Sequence, residues 1–112
     1  MTVTSKPLVT SKYASNAETT EYTANNLRAI IDKFTGYNGT AGAVSLTVKL
    51  VPSGSSAGAS NITVSRSIAA GATDTFSEVV GHTLESGGFI SVLAGAATSI
   101  VIRCTGREVT GS

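Results

Sequence analysis

From Ala43 to Thr110 the chain is a succession of short β-branched runs cut by Gly, Ser and Ala turns. Val44-Ser-Leu-Thr-Val-Lys-Leu50 alternates apolar and polar without a slip. Side chains of a strand point alternately to its two faces, so Val44, Leu46, Val48 and Leu50 share a core face and Ser45, Thr47 and Lys49 the other. Ile62 to Ile68 repeats the alternation, and Phe89–Leu93 and Ser99–Thr105 are apolar runs bounded by turns. Shorter strands are expected over Thr19–Ala24, around Tyr22, and over Thr73–Ser77, around Phe76. The breaks fall at Asn25-Asn26, Asn38 to Gly42, Ala69-Ala70-Gly71, Gly87-Gly88 and Ala94–Thr98, with Pro52–Asn61 as the longest loop. Turn signals at spacings of roughly 8–12 residues point to a sandwich or barrel. The expectation is all-β: a single antiparallel β-sandwich or jelly-roll-like domain of about seven to eight strands.

Two segments fit this pattern less simply. In Leu27–Thr35 the apolar residues Leu27, Ile30, Ile31 and Phe34 fall at helical spacing. The segment is short and runs into Thr35-Gly-Tyr-Asn-Gly-Thr40, so a strand is preferred, with a bulge or twist around Ile30-Ile31 to reconcile the phase. Residues 1–17 are polar, carry Pro7 and show little periodicity. They read either as a frayed terminus or as an extended arm that orders against a neighbouring subunit. The arm is preferred, because Val3, Leu8, Val9 and Tyr13 give it four sizeable apolar anchors. The chain is thus divided into an arm, 1–17, and a sandwich domain, 18–112.

Composition narrows the function classes. Charged residues make up 13% of the 112 residues, against roughly 25% in an ordinary soluble domain. A weakly charged surface is poorly protected against association, which suggests that much of it meets other protein. The net charge is +1 and the eight basic residues are scattered along the chain, so no nucleic-acid footprint is indicated. The absence of Trp leaves the core to Val, Ile, Leu and Ala. Cys104 is single, so it forms no internal disulfide, and its apolar run marks it as an inert core thiol. Met1–Thr10 lacks the apolar stretch of a signal peptide, and no run approaches the ~20 apolar residues of a membrane span. Synthesis in a cytoplasm and no membrane partner are expected.

Catalytic chemistry finds little footing. His82 is the one histidine; Ser77 and Asp74 could be set beside it on paper, but Ser is so abundant that the coincidence has little weight. Asp74 and Glu78 are the nearest acid pair outside the N-terminal segment, without the aromatic platforms of a sugar cleft. Gly54–Gly58 and Gly87-Gly88 lack the Lys-Ser/Thr that follows in a phosphate loop. No catalytic, cofactor-binding or metal-ligating residue is assigned, no small-molecule substrate is expected, and the protein is read as no enzyme. Arg66 and Arg103 lie within predicted strands, and each faces either solvent or a subunit contact, a place where the planar guanidinium is enriched. The candidate interface residues are Val3, Leu8, Val9, Tyr13, Tyr37, Arg66 and Arg103.

Three stretches together resemble small structural proteins of tailed double-stranded DNA bacteriophages. They are Tyr22–Thr35, Val44–Gly54 and the pair Arg66–Gly71 with Val80–Gly87. The resemblance covers roughly residues 20–110 and includes no catalytic signature. It implies a β-sandwich virion protein made in the bacterial host cytoplasm, most directly a capsid decoration or cement subunit. Its partners would be copies of itself and major capsid or neck and tail proteins. The alternatives are a neck or tail accessory subunit, or a carbohydrate- or receptor-binding module at a tail or fibre. The last would need an aromatic cluster on loops, for which only Tyr37 and Tyr13 qualify.

Overall fold

In the computed structural model, which describes residues 2–110, nine strands form two antiparallel sheets packed as a sandwich. The strands are β1 (Thr2–Tyr13), β2 (Thr19–Thr23), β3 (Arg28–Asn38), β4 (Val44–Val51), β5 (Ile62–Ile68), β6 (Thr73–Thr75), β7 (Thr83–Leu84), β8 (Phe89–Ala94) and β9 (Ile100–Thr110). One sheet runs β1-β9-β3-β6, with β7 also on β3; the other runs β2-β8-β4-β5. Met1, Gly111 and Ser112, the outermost residues of the expected arm and sandwich, lie outside the described residues.

Alternation explains the layers. Leu46 and Val48 of β4 pair with Ala94 and Val92 of β8, and all four are buried between the sheets. Opposite them lie Ala29, Ile31 and Phe34 of β3 and Ile100, Ile102 and Cys104 of β9. Phe34 meets Phe76 edge-on, with ring centroids 5.5 Å apart, a favourable aromatic geometry. Gly36 makes room for this pair: a Cβ there would sit 3.0 Å from the Phe76 ring. Buried Asn38 ends β3, its amide donating to the Gly42 and Ile68 carbonyls while its Oδ1 accepts from Thr40 N–H and hydroxyl. Every polar atom of that side chain is satisfied, as burial requires.

The helical spacing in residues 27–35 resolves as a bulged strand. The register of β3 against β9 slips between Ile31 and Lys33, so Asp32 is the extra residue. Before the slip Ala29 and Ile31 point inward; after it Phe34, Gly36 and Asn38 do. The bulge lies one residue beyond the expected Ile30-Ile31.

Residues 2–13 differ from the expected arm. They form β1, antiparallel along the whole of β9, from Thr2 opposite Thr110 to Tyr13 opposite Val101. Two bulges, after Pro7 and after Val9, let the adjacent Leu8 and Val9 both turn into the protein's own core. Their apolar area is buried within the chain rather than against a neighbour. The segment lacks visible periodicity because the bulges reset the phase twice within six residues.

Two outcomes test this. Deleting residues 2–13 strips β9 of a partner and removes Leu8 and Val9 from the core, so the cooperative melting transition should be lost; a truncated protein melting like the full chain would return the segment to an arm. At Gly106 an added Cβ would overlap the Ile30 carbonyl oxygen and come within 2.8 Å of Leu8 Cδ1. Gly106→Ala should therefore cost about 2 kcal/mol or more in urea denaturation, as overpacking against backbone does.

Candidate assembly surface

The surface is built from what the sandwich leaves over once its own sides are closed. On one side β1 and β2 approach, and Lys12 Nζ bonds Glu21 Oε1 at 2.7 Å. Nearby, Lys6 lies 3.5 Å from Glu108, whose other oxygen accepts from the Tyr22 hydroxyl at 2.5 Å. Burial and the Glu108 carboxylate push the Tyr22 hydroxyl well above its ordinary pKa, so it stays a donor. On the other side Arg66 of β5 reaches Asp74 of β6 at 3.3 Å and bonds Glu78, with its guanidinium 5.1 Å from the centre of the Phe76 ring. Arg66, a candidate for solvent or a subunit contact, is instead engaged within the chain, clasping the edges of the two sheets. Asp74 is turned to Arg66, not to His82.

Lys49 is also occupied internally. It lies on the face of β4 away from the core, as alternation requires, yet it is only 8% exposed. Its ammonium bonds Glu18, whose other oxygen accepts from Ser91 at 2.6 Å. Lys49 first, and then Ser91, stabilise the charged carboxylate and hold the Glu18 pKa below the usual value. Arg107 pairs with Asp32, the bulge residue, at 2.9 Å. Cys104 is buried, and desolvation pushes its thiol up to about 12. A thiol held protonated is a poor nucleophile.

The outer face of the five-stranded sheet gathers four of the candidate interface residues, Val3, Tyr13, Tyr37 and Arg103. Val101 pairs with Tyr13 on one side and Tyr37 on the other, so the three form one row. Tyr13 is 54% exposed and Tyr37 44%. Being two strands apart, they stand about 10 Å from each other. Arg103 is two residues along β9 on the same face, opposite Thr35, and Lys33 follows beside Thr105. Val3 lies at the other end of the face, opposite Val109, which has Arg28 on its other side. Among the described residues Arg28, Lys33 and Arg103 are the cations without a carboxylate within ion-pair distance, and Glu85 is the carboxylate without a cation. All three cations belong to this face, because registry aligns positions that are scattered in sequence.

A groove of about 420 Å³ opens at the end of the sandwich away from the Tyr row. Leu50, Ile62 and Leu84 make its apolar wall; His82 and Glu85 border it. Ile62 remains 45% exposed there. Sequence reading passed over Ile62 and Glu85, since a strand's first residue and a turn acid carry no local signal of meeting.

No protein-family model matches the chain, and no curated protein does. A solved structure of Bacillus endospore appendages, described as a novel family of disulfide-linked pili, superposes with a TM-score of 0.58 at 18% identity. The match covers 99% of this chain and 90% of that one. The β-sandwich is therefore a fold that this chain shares, over almost its full length, with a bacterial appendage protein. The likeness to bacteriophage proteins gains no support from these comparisons.

The Glu18–Lys49 pair gives a directional pH prediction. A carboxyl depressed in the folded state contributes its full stability above the unfolded value of about 4.3, and that contribution disappears as pH falls through the lower folded value. Lys49→Ala should cost about 1–2 kcal/mol at neutral pH, less than a fully buried pair because Glu18 keeps access to water. The deficit should shrink below about pH 4. Thermal melts of both proteins across that range check it; a constant deficit would mean that the ammonium acts only through packing.

Proposed function

We propose that the protein is a non-catalytic structural subunit that polymerises with copies of itself, in an assembly outside the cell. The observation that carries this reading is the set of unpaired sheet edges, the two longest being twelve-residue β1 and seven-residue β5, on a weakly charged chain. An unpaired edge is a template for another strand, and an open-ended contact between unlike surfaces yields a filament. Lys6, Pro7, Lys12 and the bulges of β1 restrain indiscriminate pairing, which selects for a specific partner. The fold likeness to an appendage described as a pilus supports the same reading.

The linkage differs from the one named for that appendage. A disulfide-linked polymer needs two bridging sulfurs per subunit, and this sequence has one Cys, which is buried. Contacts between copies are accordingly non-covalent. The bacteriophage-like phrases favour a second reading, a virion decoration subunit, and the fold likeness favours an appendage. A subunit that polymerises alone fits the appendage; one that stays small until it meets a capsid lattice fits the virion.

Sedimentation and electron microscopy of the purified protein over a concentration series test the proposal. Polymers should form, persist in reducing agent and form equally from Cys104→Ala. A monomer at every concentration overturns self-assembly, and polymers that dissolve on reduction overturn the non-covalent linkage.

A further inference from the structure

The two ends of the sandwich leave unlike surfaces open. Each strand of β1, β3 and β9 runs nearly from end to end: twelve residues at about 3.3 Å each come to roughly 40 Å, close to the longest extent of 46 Å. The row Tyr13–Val101–Tyr37 lies at the end where β3 finishes and β9 begins. The groove walled by Leu50, Ile62 and Leu84 lies at the opposite end, where β4 finishes and β5 begins. One end presents exposed rings beside an unpaired cation, Arg103; the other presents an apolar recess beside the unpaired carboxylate, Glu85.

We propose that these ends bind each other between successive copies: Tyr37 and its neighbour Arg103 dock at the Ile62 groove of the next subunit, with Arg103 opposite Glu85. The inference rests on the self-assembly reading and gives it a specific contact. Charge supplies the argument for a second copy as occupant. Every other carboxylate among the described residues is already within ion-pair distance of a cation of its own chain. Glu85 is left for a partner, and Arg103 donates only weakly within its own chain, to Ser11 Oγ at 3.4 Å. Arg28 shares a second recess with Glu85 but forms no ion pair with it. Exposed aromatic and Arg side chains are the ones that anchor interfaces once water is excluded around them. Because the two surfaces are different and at opposite ends, the contact is heterologous and propagates.

Charge exchange tests it. Arg103→Glu and Glu85→Arg alter exposed positions, and unchanged melting temperatures will confirm folding; Arg103→Gln and Glu85→Gln serve if either charge reversal does not fold. Each single reversal should raise the concentration for half-assembly about tenfold. An equimolar mixture of the two reversed proteins should assemble as readily as wild type, because each then meets its complement at both ends. The double variant should do so alone. Tyr37→Ser should weaken assembly by a similar factor without changing its salt dependence. Wild-type assembly that is indifferent to the reversals, or a mixture as weak as its components, overturns this contact and leaves self-assembly standing. A wild type that never assembles overturns both.

Discussion

Residues 2–13 and 100–110 pair along their whole length, and the rest of the molecule depends on that pairing. β9 is held between β1 and β3, so its inward residues Ile100, Ile102 and Cys104 form the floor on which the smaller sheet packs. Leu8 and Val9 roof the edge of that floor. Close approach at Gly106 is the local condition, since no side chain fits between β9, Ile30 and Leu8. Pairing the most distant segments of a chain closes its longest loop, which is costly in entropy and slow to find. The reward is a sheet that supports the core and both aromatic residues of the outer row.

Charge is used sparingly and mostly inward. Lys12–Glu21, Lys6–Glu108–Tyr22 and Arg66–Asp74–Glu78 close the two open sides of a sandwich whose core has few aromatics to spare. Lys49–Glu18–Ser91 ties the linker before β2 to the outer face of the second sheet. Pairs of this kind that keep contact with water contribute little each, about 0–1 kcal/mol, and the more buried Lys49–Glu18 pair somewhat more, yet together they fix which edges meet. Among the described residues this leaves Arg28, Lys33, Arg103 and Glu85 as the charged side chains outside ion-pair distance of an opposite charge.

The strands of the second half were legible because alternation is a local property: β4, β5, β8 and β9 appear where their apolar positions place them. The bulge in β3 was legible too, since only an extra residue reconciles Ile31 with Phe34. β1 was hidden by its two bulges, which set Leu8 and Val9 side by side on one face. Alternation places Lys49 on the outward face, but its burial there was hidden because its partners, Glu18 and Ser91, are distant in sequence. The candidate assembly surface was legible only residue by residue. Tyr13, Val101 and Tyr37 become neighbours through strand register, which a single sequence does not contain.

The order of synthesis gives the β1–β9 pairing a further meaning. A chain leaving the ribosome exposes β1 first and β9 last, with some 90 residues between. At about 5–20 residues per second the wait is on the order of ten seconds. Throughout that interval neither the five-stranded sheet nor its Tyr row exists, for both need Val101. Incomplete chains therefore lack the surface by which finished ones would recognise each other. Under the proposed self-assembly, translation would act as a timer, keeping nascent subunits out of a polymer until β9 has closed on β1.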